Sequence, residues 1–321
     1  MLPQQVSLFL SMDDLDRRII AELQFDPRQN NAKLATSLGI TQHTVGKRIE
    51  RLVSSGEIIF TALPYMPLFG FYISAYIGLR LRQKSMLPLI AAQLCKSPQI
   101  RYVSSCEGFA DIFIGGDFKN NDDLSNFISE HIAKIEGISQ INTMVEIKRI
   151  KEPSFGRFGI RNLRRNITPK REGIVIDEIN HLIILELQKD ARKPLKNLAS
   201  LMKMSEQTIS LRIKKLIASG AIELATLVSD KVIMDSQNVF VAIKIDLPKV
   251  VEVGTYLATF PVVANAGIYS GDFQILAYLN ADSPEDINNF TNKELLKIDG
   301  VNRIDWLINL KVLKRGFSWI R

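Results

Sequence analysis

Two short segments carry side chains suited to reading a polyanion. In the first, Thr41, Gln42, His43, Thr44, Lys47, Arg48 and Arg51 fall within eleven residues. In the second, Ser205, Glu206, Gln207, Thr208, Ser210, Arg212, Lys214 and Lys215 form the matching set. On a helix lying in a major groove, the first residues reach base edges and later cations reach phosphates. Gln42, His43 and Thr44 are therefore candidates for base contact, and Lys47, Arg48 and Arg51 for phosphate contact. A solvated amphipathic helix in a protein-binding bundle is the plainer reading of the same residues.

The elements that must position these residues are short helices. Asp13 and Asp14 precede Leu15, Ile19, Ile20 and Leu23, an apolar stripe of helical period with acidic residues at its start. Asp26-Pro27 ends that helix, and a second runs from about residue 32 to 38. Gly39 supplies a turn in which positive φ costs little. Thr41 is placed to cap a third helix, with Val45, Ile49 and Leu52 on its buried face. Gly56 stops it, and a strand begins at Glu57. Three helices, a tight turn and a strand make a winged helix-turn-helix. In the second segment Ser205 caps, and Lys203 stands where Gly39 stands in the first, which makes that turn less favourable.

The two segments belong to a repeat. Displaced by 164 positions, residues 15–58 align without a gap on 179–222, and sixteen of those 44 positions are identical. Arg28/Arg192, Thr44/Thr208 and Arg48/Arg212 are among them. Late in each half the offset becomes 163, where Lys134–Ile138 matches Lys297–Val301. The boundaries that follow are a winged helix-turn-helix at 12–62, an α+β domain at 63–151, a linker at 152–175, a second winged helix-turn-helix at 176–228 and a second α+β domain at 229–321. Residues 151–172 carry seven basic and two acidic side chains, among them Arg157, Arg161, Arg164, Arg165, Lys170 and Arg171. The linker reads equally as a plain tether or as a crossing that touches phosphate.

The α+β blocks follow one order. Residues 71–82, 100–107, 110–118 and 140–150 read as strands, and 86–95 and 122–135 as helices. Strands at 238–246, 262–270, 272–280 and 302–313 with helices at 249–259 and 284–297 repeat it. The fold class is α+β: two tandem units, each a winged helix-turn-helix followed by a ferredoxin-like βαββαβ domain. One face of such a sheet needs a cover, so pairing through this domain is expected, between chains as a homo-oligomer or between the two halves of one chain.

Composition narrows the function classes. The 321 residues are 46% hydrophobic and 23% charged, ordinary for a globular protein of more than one domain. No apolar run is long enough to span a bilayer, and Met1–Ser11 lacks the marks of a signal peptide. Two cysteines, Cys95 and Cys106, fit neither a disulfide framework nor a zinc spacing, so a reducing cytoplasmic location is expected. The net charge of +7 suits a polyanionic partner, of which double-stranded DNA is the expected one. No phosphate-binding glycine loop, metal-ligand set or nucleophile motif occurs, and His43, His131 and His181 lie on unrelated helices. The chain reads as a non-enzyme without a cofactor.

Taken together, these residues resemble the Lrp/AsnC, or leucine-responsive, family of transcriptional regulators. The resemblance is carried by Leu34-Ala35, Leu38-Gly39-Ile40, Arg48-Ile49, Gly56-Glu57-Ile58-Ile59 and Gly108-Phe109-Ala110-Asp111, and by Leu198-Ala199, Arg212-Ile213, Gly220-Ala221-Ile222 and Gly271 in the second half. It implies sequence-specific DNA binding, regulation of transcription and an amino-acid effector at Gly108 and Asp111. Gln274 stands where the second half would carry the matching Asp. Family members usually hold one unit per chain, so the tandem arrangement is a departure. The rival readings are a fused enzyme similar to sirohaem decarboxylases and a metabolite sensor that no longer binds DNA.

Overall fold

The computed structural model describes residues 12–151, 175–228, 237–281 and 283–316. The expectations for Met1–Ser11 and for the basic side chains of the linker lie outside these residues.

Helix α1 (Asp14–Phe25) opens on a reciprocal capping box between Asp13 and Asp16. Helix α2 (Asn31–Leu38) is capped by the Asn30 side chain and ends on Gly39 at φ +69°. Helix α3 (Gln42–Ser54) follows after three residues. Ile19, Ile20, Leu23, Leu34, Val45 and Leu52 are completely buried between the three. Each contributes about 1.5–3 kcal/mol of burial, which holds α3 against the first two helices. Strand β1 (Ile58–Pro64) then leaves the bundle.

The second half repeats the plan with α6 (Glu178–Lys189), α7 (Leu195–Met202), α8 (Glu206–Ala218) and strand β6 (Ile222–Val228). Lys203 does adopt the left-handed conformation at φ 54°, alone in this among described non-glycine residues. The two wings pair with each other: β1 runs antiparallel to β6, with Ile58 opposite Val228 and Pro64 opposite Ile222. Each wing also feeds the other bundle's core, since Ala62 packs in the second and Val228 in the first. Thr61 Oγ1 donates to the carbonyl of Gln188 at 2.8 Å, and Thr226 Oγ1 to that of Leu23 at 2.7 Å. Thus the two helix-turn-helix units form one interlocked body.

The α+β blocks close on one another in a similar way. The first contributes β2 (Ile73–Leu81), β3 (Ile100–Gly108), β4 (Ile112–Phe118) and β5 (Ile138–Lys151). The second contributes β7 (Gln237–Ile245), β8 (Val263–Tyr269), β9 (Ile275–Ala281) and β10 (Val301–Arg315). Their order is a closed barrel, β10-β3-β4-β2-β5-β8-β9-β7. Each block keeps the ferredoxin-like order. The seams are β5 with β8 and β10 with β3, so the edge strands of one block satisfy those of the other.

Helix α4 (Leu87–Lys96) packs on one side of the first sheet, and a short helix α5 (Asn121–Asn126) runs on into a π-helical turn (Phe127–Ile132). Helices at Val250–Ala258 and Pro284–Lys293 occupy the matching places. Inside the barrel, aromatic side chains fill the space between the sheets: Tyr76 stacks on Phe113 at 5.1 Å, and Phe240 meets Tyr278 at 4.8 Å. The sheet face that was expected to need a partner is covered by the other half of the same chain. Among the described residues no helix is long and apolar enough to cross a membrane.

Candidate nucleic-acid interface

The same caps set the starts of α3 and α8. Thr41 Oγ1 accepts the backbone N–H of Thr44 at 3.1 Å, and Ser205 Oγ accepts that of Thr208 at 3.1 Å. In both, the capping hydroxyl also lies 2.8 Å from the threonine hydroxyl. The threonines are therefore partly engaged in building the helix start. Gln42, His43 and Lys47 are exposed on α3, and Glu206, Gln207, Lys214 and Lys215 on α8, with Ser210 half-buried.

The arginines behave differently from the lysines. Arg48 donates to Asp13 Oδ2 at 2.6 Å and to Asp16 Oδ1 at 2.9 Å. Arg51 pairs with the second Asp16 oxygen and lies 3.7 Å from Glu57. Arg212 donates to Asp177 Oδ2 at 2.7 Å and to Asn180 Oδ1 at 3.0 Å. Thus Arg48 and Arg51, read from the sequence as phosphate ligands, and Arg212, read as a DNA contact, lie against protein and tie the third helix to the start of the first. Lys47, Lys214 and Lys215 stand in solvent. The guanidinium of Arg48, and then the Asp16 amide, hold the Asp13 carboxyl below the ordinary carboxylate range. Arg212 and the Asn180 amide do the same to Asp177.

The sequence reading missed this clamp. Its signal was present, because Asp13/Asp177 and Arg48/Arg212 are both retained at the repeat offset.

The residues expected to meet an effector are also built into the fold. Gly108 has φ +130°, and a Cβ there would lie 1.9 Å from the carbonyl oxygen of Trp306 on β10. No other residue can hold this crossing of the two halves. Asp111 is buried and accepts the N–H of Leu81 at 2.8 Å, with Arg80 at 3.4 Å. Gln274 Oε1 accepts the N–H of Ile245 at 3.0 Å in the second half. Asp and Gln thus perform one shared task at the end of the first strand of each block.

On β3, Arg101 donates to Asp117 at 2.8 Å and to Ser74 at 3.0 Å.

A model of the AsnC-type helix-turn-helix domain matches residues 12–53 and 176–217. A model of the Lrp/AsnC ligand binding domain matches 74–154 and 238–319. An uncharacterised HTH-type transcriptional regulator of Pyrococcus abyssi (strain GE5 / Orsay) is 32% identical over 144 residues, which are 44% of this chain and 96% of the relative. The HTH-type transcriptional regulator FL11 of Pyrococcus furiosus is 32% identical over 142 residues, 44% of this chain and 93% of the relative. These relatives are the length of one repeat. Among solved structures, the siroheme decarboxylase NirDL aligns along 94% of this chain and 93% of its own, at 14% identity and a TM-score of 0.62. That similarity is one of fold and includes the tandem arrangement.

Proposed function

Because the chain belongs to the Lrp/AsnC family of helix-turn-helix transcriptional regulators, we propose that it binds specific duplex DNA through α3 and α8 and regulates transcription there. The observation that carries this reading is the pair of capped third helices, mounted on one body by the paired wings, with polar N-terminal turns facing solvent. Gln42, His43 and Thr44 read bases for the first helix, and Gln207, Thr208 and Ser210 for the second. Lys47, Lys214 and Lys215 take the phosphates. Arg48, Arg51 and Arg212 serve by holding the helices at the right angle.

Control by an amino acid at Gly108 and Asp111 is the weaker part of the family expectation. The carboxylate is buried, already bonded to a backbone amide and flanked by Arg80, so an incoming ammonium would have to share it with both. The tetrapyrrole reading gains the fold likeness alone. Against it stand the pairing of Arg101 with Asp117 and the aromatic filling of the barrel. A purified protein lacking visible tetrapyrrole absorbance would agree with this choice.

The test is selection of bound genomic fragments, followed by fluorescence anisotropy across a salt series. Affinity should fall linearly in log–log form as salt rises. Gln42→Ala should change sequence preference, and Lys47→Ala should weaken all duplexes alike. An isotherm unmoved by both substitutions would remove α3 from the interface.

A further inference from the structure

The two halves also meet where α1 turns into α2 and α6 into α7. Arg28 and Arg192, repeat counterparts, cross there. Arg28 Nη2 donates to the carbonyl of Lys193 at 2.8 Å. Arg192 Nη2 donates to the carbonyl of Gln29 and to Asn31 Oδ1, both at 3.1 Å. The exchange fixes both guanidinium groups, and Arg192 also lies over the Phe60 ring at 5.1 Å.

Beside them opens a cleft of about 310 Å³ lined by Arg28, Asn30, Asn31, Gln42 and Arg192. Its lining is polar and holds no carboxylate. The acids that act on these arginines, Asp26 and Asp190, have one oxygen each turned to the backbone amides of Arg28 (3.1 Å) and Arg192 (2.8 Å). An arginine fork offers five N–H donors, more than the carbonyl bonds above consume. Two helix starts border the same space, since Asn31 is the first residue of α2 and Gln42 the first of α3. Their caps satisfy Lys33 and Thr44, and the earlier amides of each first turn have no partner within the helix. Burial lowers the pKa of both arginines, and the charge of Arg28 lowers that of Arg192 further. An anion in the cleft would offset both effects through its charge.

We propose that this cleft is a phosphate-binding site held jointly by the two halves, with Arg28 and Arg192 as the cations and Asn31 and Gln42 as polar walls. Planar guanidinium groups match phosphate oxygens in pairs, and the cleft has room for a phosphate monoester or diester. The DNA backbone is one source, which rests on the function proposed above, and a free phosphate compound is the other. The site is single. Across the pseudo-twofold axis Pro194, Leu195 and Glu206 replace Asn30, Asn31 and Gln42, which leaves an apolar wall and a negative charge.

The experiment has two arms and two variants. Arg192→Gln removes one cation. Asn31→Asp keeps the acceptor for Arg192 and puts a negative charge in the cleft, so its thermal melting should match the wild type. In the first arm, binding of a random-sequence duplex is measured by anisotropy across salt. Each variant should weaken it several-fold and reduce the log–log salt slope by about one. In the second arm, inorganic phosphate is titrated into DNA-free protein and followed by the arginine side-chain NMR signals. Wild type should respond and both variants should not. A slope change without a phosphate response assigns the site to the DNA backbone, and a phosphate response without a slope change assigns it to a free compound. A wild type that binds no duplex at all would sink the DNA reading and leave the phosphate arm to decide this site. An unchanged slope for Asn31→Asp together with no wild-type response to phosphate would overturn the proposal.

Discussion

The two third helices began as copies, and their differences are not spread evenly. Positions that build the helix and dock it are kept: Thr41 and Ser205 cap, Arg48 and Arg212 clamp, and Val45/Ile209, Ile49/Ile213 and Leu52/Leu216 fill the core. Positions that face outward are not. Gln42 faces out in one helix and Glu206 in the other, His43 is matched by Gln207, and Glu50 by Lys214. Lys47 has become Leu211, which is 53% exposed. On the side proposed to face the groove, loss of a cation and gain of an exposed leucine would change what the helix can touch, from a phosphate to an apolar group such as a thymine methyl. Packing constrains one set of positions and leaves the other free of the core. The comparison therefore separates scaffold from the proposed reading surface within a single chain.

The largest effect expected concerns the clamp. Arg48 faces a buried aspartate, whereas Arg212 faces Asn180 in the same place. Arg48→Ala strands part of the Asp16 charge and should cost about 2 kcal/mol, and Arg212→Ala about half of that. Chemical denaturation of both variants checks the order, and equal losses would break the comparison. Next in size is the exchange of the outward residues. Lys47→Leu should weaken duplex binding several-fold and lower the salt slope by about one, and Leu211→Lys should do the reverse. The turn residue comes third. Lys203→Gly removes a left-handed non-glycine residue and should stabilise by roughly 1 kcal/mol, whereas Gly39→Lys should destabilise by a similar amount.

The smallest effect is acid sensitivity. Asp13 and Asp177 have lowered pKa values in the folded protein. Their contribution is present above the unfolded carboxylate pKa of about 3.9 and is lost as pH falls through the lower folded value. Both side chains are about half exposed, so the loss should be slight. Melting below pH 4 should soften in wild type and less in Asp13→Asn.

Much of the fold was legible because it is local. Apolar period, caps and Gly39 defined α1 to α3, and alternation defined the strands to within a few residues. The order βαββαβ held in both halves, although the second helix of the first block ends in a π-helical turn that periodicity does not distinguish. What joins the halves was not legible. The seams β5–β8 and β10–β3, the paired wings and the Arg28–Lys193 bond all link residues far apart, with partners that no spacing reveals. The candidate site was read in part. Exposure of Gln42, His43 and Lys47 follows from helical period, but Arg48 borders the buried face, and its partners lie 32 and 35 residues away. At the residues expected to meet an effector, a shared structural task was hidden by a difference in charge. Asp111 and Gln274 differ in charge, which suggested a gained or lost ligand, yet both accept one backbone amide.

The central claim is that one chain presents two unlike reading helices on a single interlocked body. The most direct measurement is sequence selection from a random duplex library, combined with the mass of the resulting complex. The account predicts one chain on a site whose two half-sites differ, with Leu211→Lys altering only one of them. A perfectly symmetric site, or the absence of any selected sequence, would contradict it.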